Sequence, residues 1–387
     1  MNPNDGVKVN HKHTAKHLVL VGGGHVHLMV LSKLKEYTGR GHRVTLISPS
    51  AYHYYSGMGP GMLSGFYHPG EVRFHIRKMA EDRGASFFQD PVIRVDPAKR
   101  VLLLQSGSRI EYDVVSFNIG SDIRQDDIVI FGGNVLPVKP IENLLKAREL
   151  ILKSFPDRTA DILVIGGRPA GLEISANVWK LLSDNRICGR ITVVCGGRML
   201  AHFPDRARTL ALSSLMERNI DVLENISVRT LERGKATLTD GTTLACDIVL
   251  LATGVKPPSL FLKSGLATGQ DGGLPVNAYL QSVSYPEIFG GGDCISFQDN
   301  PLPKVGVHAV KENRILYNNL HVMLNGGELM RYKPQRNYLL IFNLGNGRGL
   351  LWRQSHVIEG RATLWLKNYI DRKFMRKFQL SGELDEK

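Results

Sequence analysis

Two glycine-rich turns constrain this chain more than any other feature: Gly22-Gly23-Gly24-His25 after Val19-Leu20-Val21, and Gly166-Gly167-Arg168-Pro169-Ala170-Gly171 after Ile162-Leu163-Val164-Ile165. Each turn follows an apolar run and opens an amphipathic stretch. In that strand, turn and helix order, the helix N-terminus can receive a phosphate. One such fingerprint is weak evidence, but two in one chain point to two dinucleotide sites.

Residues 17–48 read as a strand, the turn, a helix from His27 to Tyr37 and a second strand from Arg43 to Ser48, which makes one βαβ unit. The pattern recurs over 161–195, with a helix from Ala170 to Leu182 and a strand from Arg190 to Cys195. Val101 to Gln105 and Tyr112 to Ile119 read as strands between the units. Val135 to Pro140 reads as an extended crossover, because proline disfavours helix before it. Leu244 to Gly254 is a strand ending in a glycine turn, after which the chain is expected to return to the first unit. The expected fold class is α/β, with two Rossmann-like domains, the first discontinuous and the second inserted into it. The expected domains are a flexible arm over 1–16, an FAD domain over 17–130 and 253–330, an NAD(P) domain over 131–252, and a C-terminal region over 331–387.

Composition narrows the function. The 387 residues are 43% hydrophobic and 22% charged, enough to bury two or three cores. The longest apolar runs are too short to cross a bilayer, and Met1 to Lys16 lacks the apolar core of a signal peptide, so a cytoplasmic protein is expected. Cys188, Cys195, Cys246 and Cys294 have no CxxC or CxxxxC spacing, which argues against a zinc ribbon or a redox disulfide. The net charge of +13 fits nucleic acid, an anionic membrane or an anionic cofactor. No nucleic-acid motif appears, and basic residues crowd Lys367, Arg372, Lys373, Arg376 and Lys377, which favours a membrane surface on its inner face. His11, Lys12, His13 and His17 read as a solvated arm rather than a metal site.

Within the first turn, Gly22 and Gly24 hold the first two fingerprint positions, but His27 stands at the third and Ser48 replaces the usual acidic ribose ligand. His25 and His27 are assigned to cofactor contact, and no metal is expected, since no carboxylate or cysteine partner is near in sequence. In the second turn Gly166 and Gly171 hold the first and third positions, with Gly167 between them and Glu173 following. Arg168 replaces the close-approach glycine, Cys195 replaces the carboxylate that selects NAD, and Arg198 lies three residues on. Two readings stay open: a site leaning toward NADPH, or a degraded site in a domain kept for architecture, leaving a flavin-carrying binding or regulatory module.

Pro286-Glu287-Ile288-Phe289-Gly290-Gly291-Gly292-Asp293-Cys294 resembles the second FAD motif of two-dinucleotide-binding flavoproteins. That resemblance implies that Asp293 bonds the ribityl chain and that a following helix, about Val305 to Leu320, points its positive end at the flavin. Almost the whole chain, from His17 to Phe378, resembles the pyridine nucleotide-disulfide oxidoreductase superfamily, in the branch around type II NADH dehydrogenases and sulfide:quinone oxidoreductases. Closer still, the stretches Tyr55 to Met62, Asn118-Ile119-Gly120-Ser121, Pro137-Val138-Lys139-Pro140 and Pro303 to Val310, with Val305 and Gly306, resemble FAD-dependent oxidoreductases associated with selenide,water dikinase. This sequence shows no dikinase domain, so a selenium role is not inherited by default. The resemblance implies bound FAD, hydride from NAD(P)H, Gly254 and the second turn at the nicotinamide dinucleotide, and release of electrons to a second acceptor, often a quinone in the relatives. No side chain is required as acid or base, because the cofactor carries the hydride chemistry. Sulfide oxidation is disfavoured, since only Cys294 lies near a flavin motif. Tyr52-His53-Tyr54-Tyr55, with Met58 and Met62, reads either as a wall of the flavin or acceptor channel or as ordinary packing.

Residues 337–366 read as a β-hairpin turning at Gly345-Asn346-Gly347. Leu364 to Phe378 reads as a basic amphipathic helix whose apolar face is Leu366, Ile370, Phe374 and Phe378. That helix either lies on a bilayer over 364–378 or packs across a homodimer or onto the FAD domain.

Overall fold

The computed structural model describes residues 8–9, 14–125, 127–155, 158–299, 301–335 and 337–384. Of the N-terminal arm, His11, Lys12 and His13 lie outside the described residues. Lys8–Val9 runs antiparallel to Gly327–Glu328. His17 is not part of a solvated tail: it opens the first core strand, buried, with Nε2 2.8 Å from the Thr45 hydroxyl.

Two five-stranded sheets organise the chain. The first has the order Ile288–Gly290, Val114–Phe117, His17–Val21, Arg43–Ile47, Ser86–Phe88, and every neighbouring pair is parallel. The second has the order Asn134–Pro137, Ile248–Leu251, Ala160–Ile165, Gly189–Cys195, Ile220–Glu224, again all parallel. Parallel sheets are covered on both faces, which is why their strands read as near-continuous Val, Ile and Leu runs. In each sheet the strand before the glycine turn lies between the next strand in sequence and one that arrives much later. The carboxyl ends of His17–Val21 and Ala160–Ile165 are therefore topological switch points, where open α/β sheets hold ligands.

The first sheet takes its strand Ile288–Gly290 from beyond the second sheet, so the second unit is inserted into the first. The chain leaves and re-enters side by side, Asp122–Ile123 pairing antiparallel with Val255–Lys256. Val135 to Pro140 is more than a crossover: Asn134–Pro137 forms an edge strand of the second sheet. An edge position tolerates Pro137, which has no N–H to donate. The expected helix from His27 to Tyr37 is instead two short segments, Leu28–Ser32 and Lys35–Thr38.

The C-terminal hairpin is a three-stranded antiparallel sheet, Leu340–Asn343, Gly349–Arg353 and His356–Gly360. The last helix, Arg361–Phe378, is rotated about one residue, roughly 100°, from the face read in sequence. Its buried residues are Thr363, Leu364, Lys367, Asp371, Met375 and Phe378, while Ile370 is exposed. Trp365 and Tyr369 are 67% and 53% exposed and stack at 5.8 Å. No helix among the described residues is long and apolar enough to cross a membrane.

Candidate functional site

The first turn is held by the strand beside it. Gly22 has φ +85°, and a Cβ there would lie 2.3 Å from the Asn118 carbonyl oxygen; at Gly24 it would lie 2.3 Å from Asn118 Oδ1. Only glycine permits this approach. Asn118 Oδ1 accepts the Val26 N–H at 3.0 Å and Nδ2 donates to the Gly291 carbonyl at 2.7 Å, which stitches the turn to the downstream glycine motif.

His27 has no ring nitrogen to give a cofactor. Its Nδ1 lies 2.5 Å from the Gly22 carbonyl and its Nε2 2.9 Å from the Ser116 hydroxyl, beneath the turn. Burial pushes it down to about 4, so it is a neutral clamp that fills the space a third glycine would leave. His25 differs. Its Nδ1 lies 3.2 Å from His53 Nε2, while its Nε2 is buried with no partner among the described residues. Burial holds it at about 4 against the pull of Asp293, with Lys139 lowering it further. The aromatic patch is joined from the C-terminal helix: Phe374 stacks on His25 at 5.9 Å and meets Tyr55 at 5.0 Å.

Asp293 forms a three-membered cluster. Lys139 Nζ donates to Asp293 Oδ2 and to Ser121 Oγ, each at 2.8 Å, and Ser121 Oγ donates to the same carboxylate oxygen at 2.8 Å. Burial works to raise Asp293, but the Lys139 ammonium and the two hydrogen bonds outweigh it and hold the carboxyl low. Gly120, with φ +71°, precedes Ser121, and open space surrounds the position of its absent Cβ. The Gly306–Asn325 helix begins after Val305 with no side-chain cap, and Gly306 is exposed, so its first N–H groups and positive end are available to an anionic ring. Ser48 follows the Arg43–Ile47 strand, buried, with its N–H bonded to the Phe88 carbonyl. The unpartnered His25 nitrogen, the Ser121 hydroxyl and the charged Lys139–Asp293 pair form a donor and acceptor set that fits a polar, hydroxyl-bearing dinucleotide such as FAD.

At the second turn Gly166 packs on the Ala252 carbonyl and Gly171 on the Gly166 carbonyl, closing helix onto strand. Arg168 is exposed in extended backbone, φ −89°, so it replaces glycine without strain. Its side chain lies over Gly254, 3.9 Å from where a Cβ would sit, and makes no hydrogen bond or ion pair among the described residues. Gly167 backs onto Cys195, and Arg198 sits on the loop that follows. Glu173 does not join this group. Its Oε1 accepts the Asn343 N–H at 2.7 Å, and its charged neighbours are Lys367 and Asp371 of the last helix. Burial pushes Glu173 up to about 7 despite the pull of Lys367.

Lys367, counted in the sequence among the basic residues of the amphipathic helix, is instead buried in a pair with Asp371. Lys367 Nζ lies 2.7 Å from Asp371 Oδ2 and donates to the Gly57 carbonyl at 2.7 Å, and the Tyr55 hydroxyl donates to Asp371 at 3.2 Å. Glu312, on the Gly306–Asn325 helix, is buried, accepts the Gly292 N–H at 2.6 Å, and is pushed up to about 7 by burial. Lys139 lies in the Val135 to Pro140 stretch read as an extended crossover, which carries no local signal that it would meet Asp293.

Residues 10–313 match the family described as pyridine nucleotide-disulphide oxidoreductase. The chain belongs to that family. Its four cysteines, Cys188, Cys195, Cys246 and Cys294, are unpaired in the fold. Ferroptosis suppressor protein 1 of Taeniopygia guttata is 26% identical over 69% of this chain and 71% of its own length. The type II NADH:quinone oxidoreductase of Haemophilus influenzae is 24% identical over 72% of this chain and 73% of its own. The fold matches NDH2 from Plasmodium falciparum, solved in complex with NADH, with a TM-score of 0.78 at 15% identity, covering 96% of this chain and 98% of that one. This pyridine nucleotide-disulphide oxidoreductase is an enzyme that uses FAD and NAD(P)H.

Proposed function

We propose that this oxidoreductase passes electrons from NAD(P)H through FAD to a quinone, as a peripheral protein on the inner, cytoplasmic face of a membrane. The observation that carries the reading is the Asp293–Lys139–Ser121 cluster, where the downstream glycine motif, the residues just past the second sheet's edge strand Asn134–Pro137 and the stretch that follows the Val114–Phe117 strand converge. FAD, when bound, supplies the carrier that accepts hydride from a nicotinamide and releases electrons to the acceptor. The chain supplies binding and charge. Asp293 and Ser121 hold the hydroxyl-bearing chain, the helix end at Gly306 favours negative charge, and the second turn with Arg168 takes the phosphates of NAD(P)H. Relatives named for NADH:quinone chemistry support the quinone. Sulfide as donor is disfavoured, because Cys294 is buried and burial pushes its thiol up to about 12.

An anaerobic titration tests the reading. The flavin band of the purified protein is expected to bleach with NADH or NADPH and to return on adding a short-chain ubiquinone analogue. A flavin that dithionite reduces and neither nucleotide touches would overturn it, in favour of a flavin-carrying module without turnover.

The exposed Trp365, Tyr369 and Ile370, beside Lys373, Arg376 and Lys377, form the membrane-facing surface in this reading. Aromatic and basic residues suit the interface, and each basic residue near anionic lipid contributes about 1 kcal/mol. The protein is expected to cosediment with phosphatidylserine-containing vesicles at low salt, and Trp365→Ala/Tyr369→Ala is expected to lose most of that binding. A face that binds no vesicle yet loses a sedimentation dimer in the double variant would identify a homodimer interface instead.

A further inference from the structure

A dinucleotide unit that selects NAD normally ends its second strand in a carboxylate, which accepts hydrogen bonds from the adenosine ribose hydroxyls. Here the Gly189–Cys195 strand ends in a fully buried thiol. Cys195 is wedged beneath the turn: a Cβ on Gly167 would lie 2.9 Å from its sulfur. Burial pushes that thiol up to about 12, so it stays neutral and offers no anionic acceptor.

The neighbouring carboxylates do not replace it. Glu224 is the register partner of Cys195 on the adjacent strand, but both its oxygens are engaged, one by the Met199 N–H and the other by the Arg208 guanidinium. Asp205 is 92% exposed and stands 3.7 Å from Arg198, a surface pair of little energetic weight.

What the loop after this strand does present is positive charge. Leu200 N–H donates to the Gly167 carbonyl at 2.7 Å and Asn225 N–H to the Gly197 carbonyl at 3.2 Å, which ties the loop against the glycine turn. Between those two anchors Arg198 is 55% exposed. Arg168 stands on the turn itself with no partner among the described residues.

We infer that the second unit selects NADPH over NADH, with Arg198 as the residue that receives the adenosine 2′-phosphate. A guanidinium binds a phosphate dianion through paired charge-assisted hydrogen bonds, whereas a bare 2′-hydroxyl meets a neutral thiol at the end of this strand in place of a carboxylate. Arg168 serves the shared part of either dinucleotide, so it adds affinity without discrimination. The inference rests on the reading that this unit holds a nicotinamide dinucleotide at all.

Binding of adenosine fragments tests it without turnover. The flavin-loaded protein is titrated calorimetrically with 2′,5′-ADP and with 5′-AMP at fixed ionic strength. The phosphorylated probe is expected to bind about tenfold tighter or better. Arg198→Ala is expected to remove about tenfold from the 2′,5′-ADP affinity and leave 5′-AMP within about twofold, and Arg198→Lys to recover part of the loss. Equal binding of the two probes, or a loss shared equally by both in Arg198→Ala, would overturn the selection while the nucleotide site stands. Failure of both probes to bind, together with a flavin that neither dinucleotide reduces, would overturn the nucleotide site as well. Arg198 is half exposed and in a loop, so its variants keep the fold, which a thermal melt verifies.

Discussion

Gly22→Ala protein is expected to purify without flavin and to be about 2–4 kcal/mol less stable than the parent. Two independent penalties combine at this position. The residue sits at φ +85°, where a side chain costs roughly 1–2 kcal/mol, and the new methyl would lie 2.3 Å from a backbone oxygen, that of Asn118. A backbone oxygen at the residue that follows a core strand cannot swing aside as the end of a flexible side chain does. Relief requires the turn or the Val114–Phe117 strand to shift, and either movement pulls on the Asn118 bonds to Val26 and Gly291. Gly291 leads directly into Asp293, so a distortion at one end of the site reaches the other. Gly107→Ala is the control. Its φ of +89° is equally left-handed, but nothing lies within 4 Å of the new methyl, so it is expected to cost about 1 kcal/mol with flavin content unchanged. Flavin absorbance per protein and urea unfolding check both variants, and full flavin occupancy in Gly22→Ala would remove the turn from the cofactor site.

The contrast between these glycines shows which parts of the molecule the sequence discloses. The central strands of both parallel sheets were legible, because buried strands carry long aliphatic runs; the edge strands Ser86–Phe88, Asn134–Pro137 and Ile220–Glu224, shorter or more polar, were not read as strands. The insertion was legible too, since the Gly290–Asp293 motif belongs with the first turn although the second unit intervenes. What could not be read were contacts across elements. His27 looked like a cofactor ligand until Ser116, on the strand beneath, was seen to take its second nitrogen. Lys139, just past the edge strand Asn134–Pro137 of the second sheet, meets Asp293 of the downstream glycine motif from a stretch more than 150 residues earlier in the chain. The face of the last helix was misjudged for the same reason. Periodicity weighs residues by polarity, and Lys367 and Asp371 are polar residues that neutralise each other inside, leaving Trp365 and Ile370 on the outside.

That buried pair makes Lys367→Met the second variant with a large expected effect, a loss of about 3–5 kcal/mol at pH 8. The substitution leaves Asp371 without its cation and takes from Glu173 the charge that pulls its carboxyl down. The pH dependence follows from Glu173, whose carboxyl lies at about 7 in the fold against an ordinary value of 4.5. Below pH 4.5 it is protonated in both states and contributes no penalty. Between 4.5 and 7 the unfolded chain releases the proton while the folded one retains it, so stability falls as pH rises. Without Lys367 the folded value moves higher still, and the decline extends into the alkaline range. The deficit of Lys367→Met, measured by urea unfolding, is therefore expected to be wider at pH 8 than at pH 5. Adding Glu173→Gln should remove the extra part at pH 8 only, because the amide can still accept the Asn343 N–H and never ionises. Lys367→Met/Asp371→Leu should recover much of the loss but not all of it, since the Gly57 carbonyl and the Tyr55 hydroxyl would still lack the partners they have now. A small deficit, the same at both pH values, would mean that water reaches the pair, and the C-terminal helix would then be a loosely seated cover over Tyr55 and Gly57 instead of part of the core.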